Sequence, residues 1–179
     1  MKRAATVADA VAMAEVHVAS WRAAYKGILP DNLLDGLSIE SRRQMWRSCM
    51  EEKKCRCFVW LIDGEVAAFA AIGPARDDDL RDSNALELYA IHFRPGWCGL
   101  GLGTIFWQEI EKEIEGNTVV LWVLEQNARA RRFYGKNGFT LEEDKKKLFA
   151  WQGMGFPEVR YRKRVQRAVA TSAGRQLFR

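Results

Sequence analysis

The stretch LELYAIHFRPGWCGLGLG, Leu86–Gly103, runs directly into TIFWQEIEKEIE, residues 104–115. Its apolar and aromatic first half reads as a strand, its alternating glycines as a sharp turn, and the acidic amphipathic run as a helix. Gly99, Gly101 and Gly103 leave backbone N–H groups bare where that helix begins. Bare amides at the positive end of a helix dipole form an anion site, so the pattern predicts a phosphorylated cofactor held by its phosphate or pyrophosphate. A P-loop is excluded: Gly103 is followed by Thr104 and Ile105, with no Lys before the hydroxyl residue. A dinucleotide fingerprint also fits poorly, because the run is G-x-G-x-G and two further strands precede this one.

On the N-terminal side, Val7, Val11, Ala14, Val18 and Trp21 recur at near-helical spacing, which predicts a helix over Thr6–Tyr25. Gly27 and Pro30 break it, and Asp31–Leu37 and Ile39–Glu52 read as short helices, the second capped by Ser38. The β-rich runs Cys57–Ile62 and Glu65–Ile72 flank Asp63-Gly64, a strong hairpin signal. Residues 74–83 form a polar loop in which Asp77–Asp79 and Asp82 read as solvated. Ala85–Phe93 is the central strand and Gly101–Glu115 the helix after it. Beyond them, Thr118–Val123 reads as a strand, Asn127–Lys136 as a helix, and Phe139–Lys147 and Glu158–Arg164 as strands, with a turn over 153–157. The class is mixed α/β around one sheet, with one domain over residues 1–165 and a basic tail over 166–179.

The chain has 179 residues, 48% hydrophobic and 28% charged, enough for one domain with a substantial core. No apolar run is long enough to cross a membrane, and the N-terminus lacks the apolar segment of a signal peptide, so a cytoplasmic protein is expected. Cys49, Cys55, Cys57 and Cys98 form neither a zinc pattern nor a disulfide framework and are expected as free thiols, with no metal. The formal charge of +5 is uneven: residues 129–179 carry 14 basic and 4 acidic side chains. Several of these cations lie on the helix over residues 129–136, suited to facing cofactor phosphates; nucleic acid is the weaker reading of the same charge. Unpaired sheet edges leave room for a homodimer.

The loop after the central strand, together with VVLWVLEQNARARRFYGKNGF (Val119–Phe139), resembles two ordered motifs of the GNAT superfamily of N-acetyltransferases. The resemblance covers roughly residues 3–165. It implies a mostly antiparallel central sheet flanked by helices, with acetyl-CoA between two splayed strands. In the family's pattern, Gly101-Leu102-Gly103 is the G-x-G portion of the pyrophosphate loop. Cys98 stands where the family usually carries Gln or Arg, so one side-chain contact departs from the pattern while the amides of Gly99, Leu100, Gly101, Leu102, Gly103 and Thr104 remain. The resemblance further implies that Ile91, His92 and Phe93 pair through their backbones with the pantetheine amides, and that Asn127 reaches the pantetheine arm. Asn127 is equally a favoured helix cap.

Acetyl transfer to an amine requires a deprotonated amine, donors for the developing oxyanion, and a proton for the departing thiolate. The resemblance implies Tyr134, in the Arg-Phe-Tyr part of the second motif, as the candidate acid, and a phenol is protonated at neutral pH. Glu87, a carboxylate on an otherwise apolar strand, is the candidate base, and the resemblance implies the same role from its place eleven residues before Cys98; a structural pairing to a nearby Arg is its rival. The resemblance also implies that Trp21, Tyr25 and Leu29 wall the pocket of a small-molecule or peptide amine acceptor, whose identity stays open. The expected activity is direct transfer from acetyl-CoA to a primary amine. The rival reading is an inactive acyl-CoA-binding sensor or interaction module.

Overall fold

The computed structural model describes residues 1–167, so most of the expected basic tail lies outside the described residues. Seven strands form one sheet in the order β1-β2-β3-β4-β5-β7-β6: β1 (Lys2–Ala4), β2 (Arg56–Ile62), β3 (Glu65–Pro74), β4 (Leu86–Phe93), β5 (Thr118–Leu124), β6 (Thr140–Trp151) and β7 (Met154–Arg164). Only β4 and β5 are parallel; every other neighbouring pair is antiparallel. The helices are α1 (Ala10–Ala24), α2 (Asp31–Asp35), α3 (Ile39–Glu51), α4 (Leu102–Glu111) and α5 (Ala128–Lys136). None of them is long and apolar enough to cross a membrane.

The helices cover both faces of the sheet. Phe106, Trp107 and Ile110 of α4 pack with Val119, Leu121, Val159 and Tyr161 on one face. Met13 and Val16 of α1 and Trp46 of α3 pack on Val59, Phe69, Ala71 and Ala90 on the other. Each such fully buried large side chain contributes roughly 1.5–3 kcal/mol of transfer free energy. The predicted hairpin turns at Asp63-Gly64, both at positive φ, and Ser38 caps α3 by accepting from the Ser41 amide at 3.2 Å. Asp9 receives both the backbone N–H and the hydroxyl of Thr6, together with a two-pronged guanidinium bond from Arg3.

Three expectations change. The segment 153–157, expected as a turn, belongs to a long β6–β7 hairpin that turns at Gln152-Gly153, and β1 was not expected at all. Pro157 fits within β7 because β5 pairs with β7 only as far as Leu124↔Glu158, so no ladder N–H is needed on that side. Cys49 and Cys55, expected as free thiols, are joined in a disulfide: the tight turn after α3, with Lys53 at φ 53°, brings their Cα atoms within 6.0 Å. Cys57 and Cys98 remain free.

The third change shapes the site. The pairing of β4 with β3 slips by one residue between Ala71↔Ala90 and Ile72↔Leu88, which makes Tyr89 a bulge. Strict alternation would put Glu87, Tyr89, Ile91 and Phe93 on one face. The bulge instead sends Ile91 and Phe93 to the α4 face with Leu86 and Leu88, while Ala90 packs on the α1 side. The Tyr89 ring lies over Gly73, and its hydroxyl donates to the Pro74 carbonyl at 2.7 Å. A Cβ on Gly73 would stand 2.6 Å from that hydroxyl and 2.8 Å from the Lys54 carbonyl oxygen.

Two stability outcomes follow. Gly73→Ala should cost about 1–3 kcal/mol, the usual range for overpacking, read as a lowered urea midpoint at unchanged slope. The second concerns His17, which lies buried in the α1 face, where burial, the main cause, pushes its imidazole down to about 2. An unfolded histidine binds a proton below about pH 6.5 that the folded one refuses, so His17 contributes stability above that pH and withdraws it as pH falls. Between pH 6 and 5, His17→Phe should flatten the loss of stability by up to about 1.4 kcal/mol per pH unit. Identical slopes in the two proteins would refute this account of His17.

Candidate active site

β4 and β5 pair at only two positions, Leu86↔Val119 and Glu87↔Val120, and then part. β4 stays on β3 through Phe93, while β5 follows β7 through Leu124. The gap between them opens into a cavity of about 1180 Å³ that reaches from the α1 face to the N-terminus of α4. Leu88–Phe93 therefore present one backbone edge to the cavity with no β5 pairing, an edge suited to an extended, amide-bearing ligand.

At one end of the cavity stand Gly99, Gly101, Gly103 and Thr104. Gly99 and Gly101 have φ of 87° and 77°, which only glycine adopts without strain, and a Cβ on either would meet open space. Gly103 is required for a different reason: its Cβ would stand 3.0 Å from the Phe133 ring, so its absence lets α4 lie close on α5. Arg129, Arg132 and Lys136 of α5 line the same end and add positive charge. Cys98 turns away from the loop amides, its thiol pointing to the carbonyls of Phe93 and Arg94 at 3.8 and 3.5 Å.

Asn127 caps α5, its Oδ1 accepting from the Ala130 amide at 3.0 Å, and it lines the cavity as well. One helix face further on, Tyr134 packs against Phe133, Phe139 and Tyr161. Burial, assisted by the neighbouring Tyr25, pushes the Tyr134 phenol well above its ordinary range, so the hydroxyl stays protonated at neutral pH. Among the described residues no hydrogen bond engages it, which leaves a donor free for a ligand in the cavity.

The other end of the cavity is aromatic. Trp21 of α1 and Tyr25, which caps its C-terminus, meet edge-on at 4.9 Å between centroids, and Trp122 and Phe149 complete the wall. Tyr25 is pushed up to about 12, chiefly by burial and further by the charge of Glu158, while a bond from Asn127 opposes the shift. His92 directs its imidazole to α1, stacking on His17 at 5.0 Å, close to the Ser20 hydroxyl at 3.1 Å and accepting from the Trp21 indole at 3.4 Å. Burial, with the Arg42 charge adding, holds it down to about 4, so it is neutral at pH 7.

Three carboxylates line the cavity, Asp77, Glu87 and Glu158. Glu87 is 2% exposed, and both of its oxygens are taken by Arg76: Oε2 accepts from the backbone N–H at 3.2 Å and from Nε at 3.0 Å, and Oε1 accepts from Nη2 at 2.5 Å. That is the geometry of the structural rival to the expected base. Glu158 was not expected from the sequence, where it was only the first residue of a strand.

Other expected residues divide. Trp21 and Tyr25 line the cavity, but Leu29 does not: it is 3% exposed in a separate core with Val18, Leu34, Leu37 and Leu124, because the turn after α1 folds it back under the helices. Leu100 points to solvent, and neither it nor Leu102 lines the cavity with its side chain. Asp77 and Asp79, read as solvated, hold Arg160, which is 1% exposed and also pairs with Glu142. Asp77 further accepts from the Trp122 indole at 2.9 Å. Trp122 and Arg160, both distant in sequence, thus fasten the β3–β4 loop over β5 and β7, a pairing that local sequence carries no sign of. Among the described residues there is no group of three His, Cys, Asp or Glu side chains that could hold a metal ion.

The chain is 26% identical over 172 residues to the uncharacterized N-acetyltransferase YuaI of Bacillus subtilis, a match spanning 88% of this chain and 92% of that one. Its fold is shared with the PaiA N-acetyltransferase of Thermoplasma acidophilum in complex with coenzyme A, at TM-score 0.67 and 20% identity over 92% of this chain and 98% of that one. YncA of Salmonella typhimurium, solved with acetyl-CoA, superposes at TM-score 0.68 and 21% identity over 97% and 98% of the two chains. At these identities the structural matches speak to the fold. The family model described as "Acetyltransferase (GNAT) family" matches residues 17–139, the segment that holds the parted strands, the glycine loop and α5, and the chain belongs to that family.

Proposed function

We propose that the protein transfers the acetyl group of acetyl-CoA directly to a primary amine. The observation that carries this reading is the cavity itself: it joins an anion-binding loop, an unpaired strand edge and a protonated phenol in one continuous line. The pyrophosphate would rest on the amides of residues 99–104 at the N-terminus of α4, with the α5 cations beside it. The pantetheine arm would extend β4 along Ile91–Phe93, and Asn127 would meet it from the cap of α5. The thioester would then lie by Tyr134, and the amine would enter from the aromatic end, past Trp21 and Tyr25.

In this reading acetyl-CoA supplies the activated acyl carbon, and the chain does the rest. The cleft holds the reacting groups together and excludes water, which accounts for much of the rate enhancement in such transfers. Tyr134 gives its proton to the departing sulfur, a step favoured by a phenol that burial keeps protonated.

Gly101→Glu should abolish acetyl-CoA binding in calorimetry. A carboxylate would enter the space meant for the pyrophosphate, and the positive φ of 77° adds backbone strain. Undiminished affinity in a folded variant would move the cofactor elsewhere. Tyr134→Phe removes one hydroxyl and almost no volume. With chemistry limiting the rate, kcat should fall roughly 10–1000-fold while acetyl-CoA affinity stays nearly intact. A wild-type kcat would assign Tyr134 to packing alone.

A further inference from the structure

We propose that Glu158, and not Glu87, receives the acceptor's ammonium group and takes its proton; this rests on the acetyl-transfer reading above. The argument begins with the strand. β7 alternates, so Val159 and Tyr161 enter the core under α4 and α5, while Glu158 and Arg160 face the opposite side, toward Trp122 and the β3–β4 loop. Arg160 is consumed there by Asp77, Asp79 and Glu142. Glu158 lies one pleat nearer the cavity and lines it. β5 ends beside it, at Leu124↔Glu158, so its carboxyl sits where the sheet opens rather than inside a closed ladder.

What surrounds Glu158 leaves its lone pairs available. Its cross-strand neighbour is Lys147, whose ammonium is held 4.0 Å over the Trp122 ring. From β4 it feels Glu87, and from the β3–β4 loop Arg76 and Asp77. Arg76 is committed to Glu87, and Asp77 to Arg160 and Trp122. From the end of α1 it faces the Tyr25 phenol. Among the described residues, no hydrogen bond or ion pair engages its carboxylate. Burial, reinforced by the Glu87 and Asp77 charges and opposed by Lys147 and Arg76, raises it above the ordinary carboxylate range. A carboxylate of that kind is a stronger base than a solvated one and attracts a cation that can replace water.

Tyr25, Tyr134 and Glu158 line the same cavity, and Tyr25 interacts electrostatically with both of the others. An amine in contact with Glu158 therefore shares the cavity with the thioester that Tyr134 would meet. The step balances as follows. The ammonium gives a proton to the Glu158 carboxylate, and the freed nitrogen lone pair forms the C–N bond at the thioester carbonyl. The C–S bond breaks, and the sulfur takes the Tyr134 proton. The Tyr134 oxygen recovers a proton from the amide nitrogen, and Glu158 releases its own to solvent. The substrate class implied is a cationic primary amine on an aromatic or alkyl stem, with Trp21, Trp122 and Phe149 receiving the stem.

The test uses the full chain, acetyl-CoA, and three probe amines: spermidine, lysine amide and phenethylamine. Glu158→Gln should lower kcat roughly 100-fold at pH 7 and leave acetyl-CoA affinity within about two-fold. The acidic limb of its kcat/KM profile should vanish, with the rate climbing alongside the amine's free-base fraction. Glu87→Gln should keep that limb and melt at a lower temperature, because it breaks the Arg76 clamp. An unchanged limb in Glu158→Gln, or its loss in Glu87→Gln instead, overturns the assignment. If the wild type binds acetyl-CoA but acetylates none of the probes, carboxyl carbon NMR decides separately. The resonance absent from Glu158→Gln should titrate above the ordinary carboxylate range, and ordinary titration refutes the proposal. A wild type that fails to bind acetyl-CoA defeats the acetyl-transfer reading and this proposal together, whereas a failure confined to the pH profile defeats this proposal alone.

Discussion

The parting of β4 from β5 is the constraint on which the rest of the structure depends. Parallel neighbours in a sheet are ordinarily joined along their length, yet here the pairing ends after Glu87↔Val120. Each strand then follows its other partner, β4 on β3 and β5 on β7, and both partners are antiparallel and long. The bulge at Tyr89 bends β4 at the point of separation, as bulges do by adding local twist. Gly73 lets that bulge exist, since any side chain there would strike the Tyr89 hydroxyl and the Lys54 carbonyl. A cavity through the middle of a sheet is thus obtained without an unpaired strand on the outside.

Around that opening the charges are strongly sorted. The α4 end carries glycine amides and the Arg129, Arg132 and Lys136 cations, fit for phosphates. Elsewhere its lining carries the carboxylates Asp77, Glu87 and Glu158, of which Glu87 and Asp77 are tied to arginines. Networks of this kind add little net stability, because desolvation offsets much of the attraction, but they set the position of a loop firmly. Arg160 does this for the β3–β4 loop by collecting carboxylates from the loop and from β6. Glu158 is left outside the network, and this isolation distinguishes it from its neighbours.

The disulfide between Cys49 and Cys55 and the neutral pair His17 and His92 illustrate how the same residues change meaning on folding. In sequence, Cys49 and Cys55 are two scattered cysteines six positions apart; in the fold, a tight turn brings their Cα atoms to 6.0 Å. The histidines are 75 positions apart and stack because α1 crosses β4, where burial removes their charge at neutral pH.

Much was legible from local pattern. The strand, glycine turn and helix over residues 86–115, the Asp63-Gly64 hairpin, the Ser38 and Asn127 caps and the helix bearing Tyr134 all depend on neighbours within a few residues, and periodicity and turn chemistry report such neighbours directly. The glycine loop and the Asn127–Tyr134 helix, both legible from local pattern, line one cavity in the fold. What local pattern does not carry is the pairing of distant residues. The one-residue slip that moves Ile91 and Phe93 to the other face depends on β3, the clamp on Glu87 on Arg76, and the burial of Leu29 on α2 and β5. Glu158 gains its place only where β7 runs past the end of β5. The sequence by itself determined most of the elements and the glycine turn before α4, because those are short-range consequences of backbone freedom and side-chain spacing. Only the tertiary structure decided which carboxylate stands free in the cavity, because that depends on which long-range partner reaches each acid first.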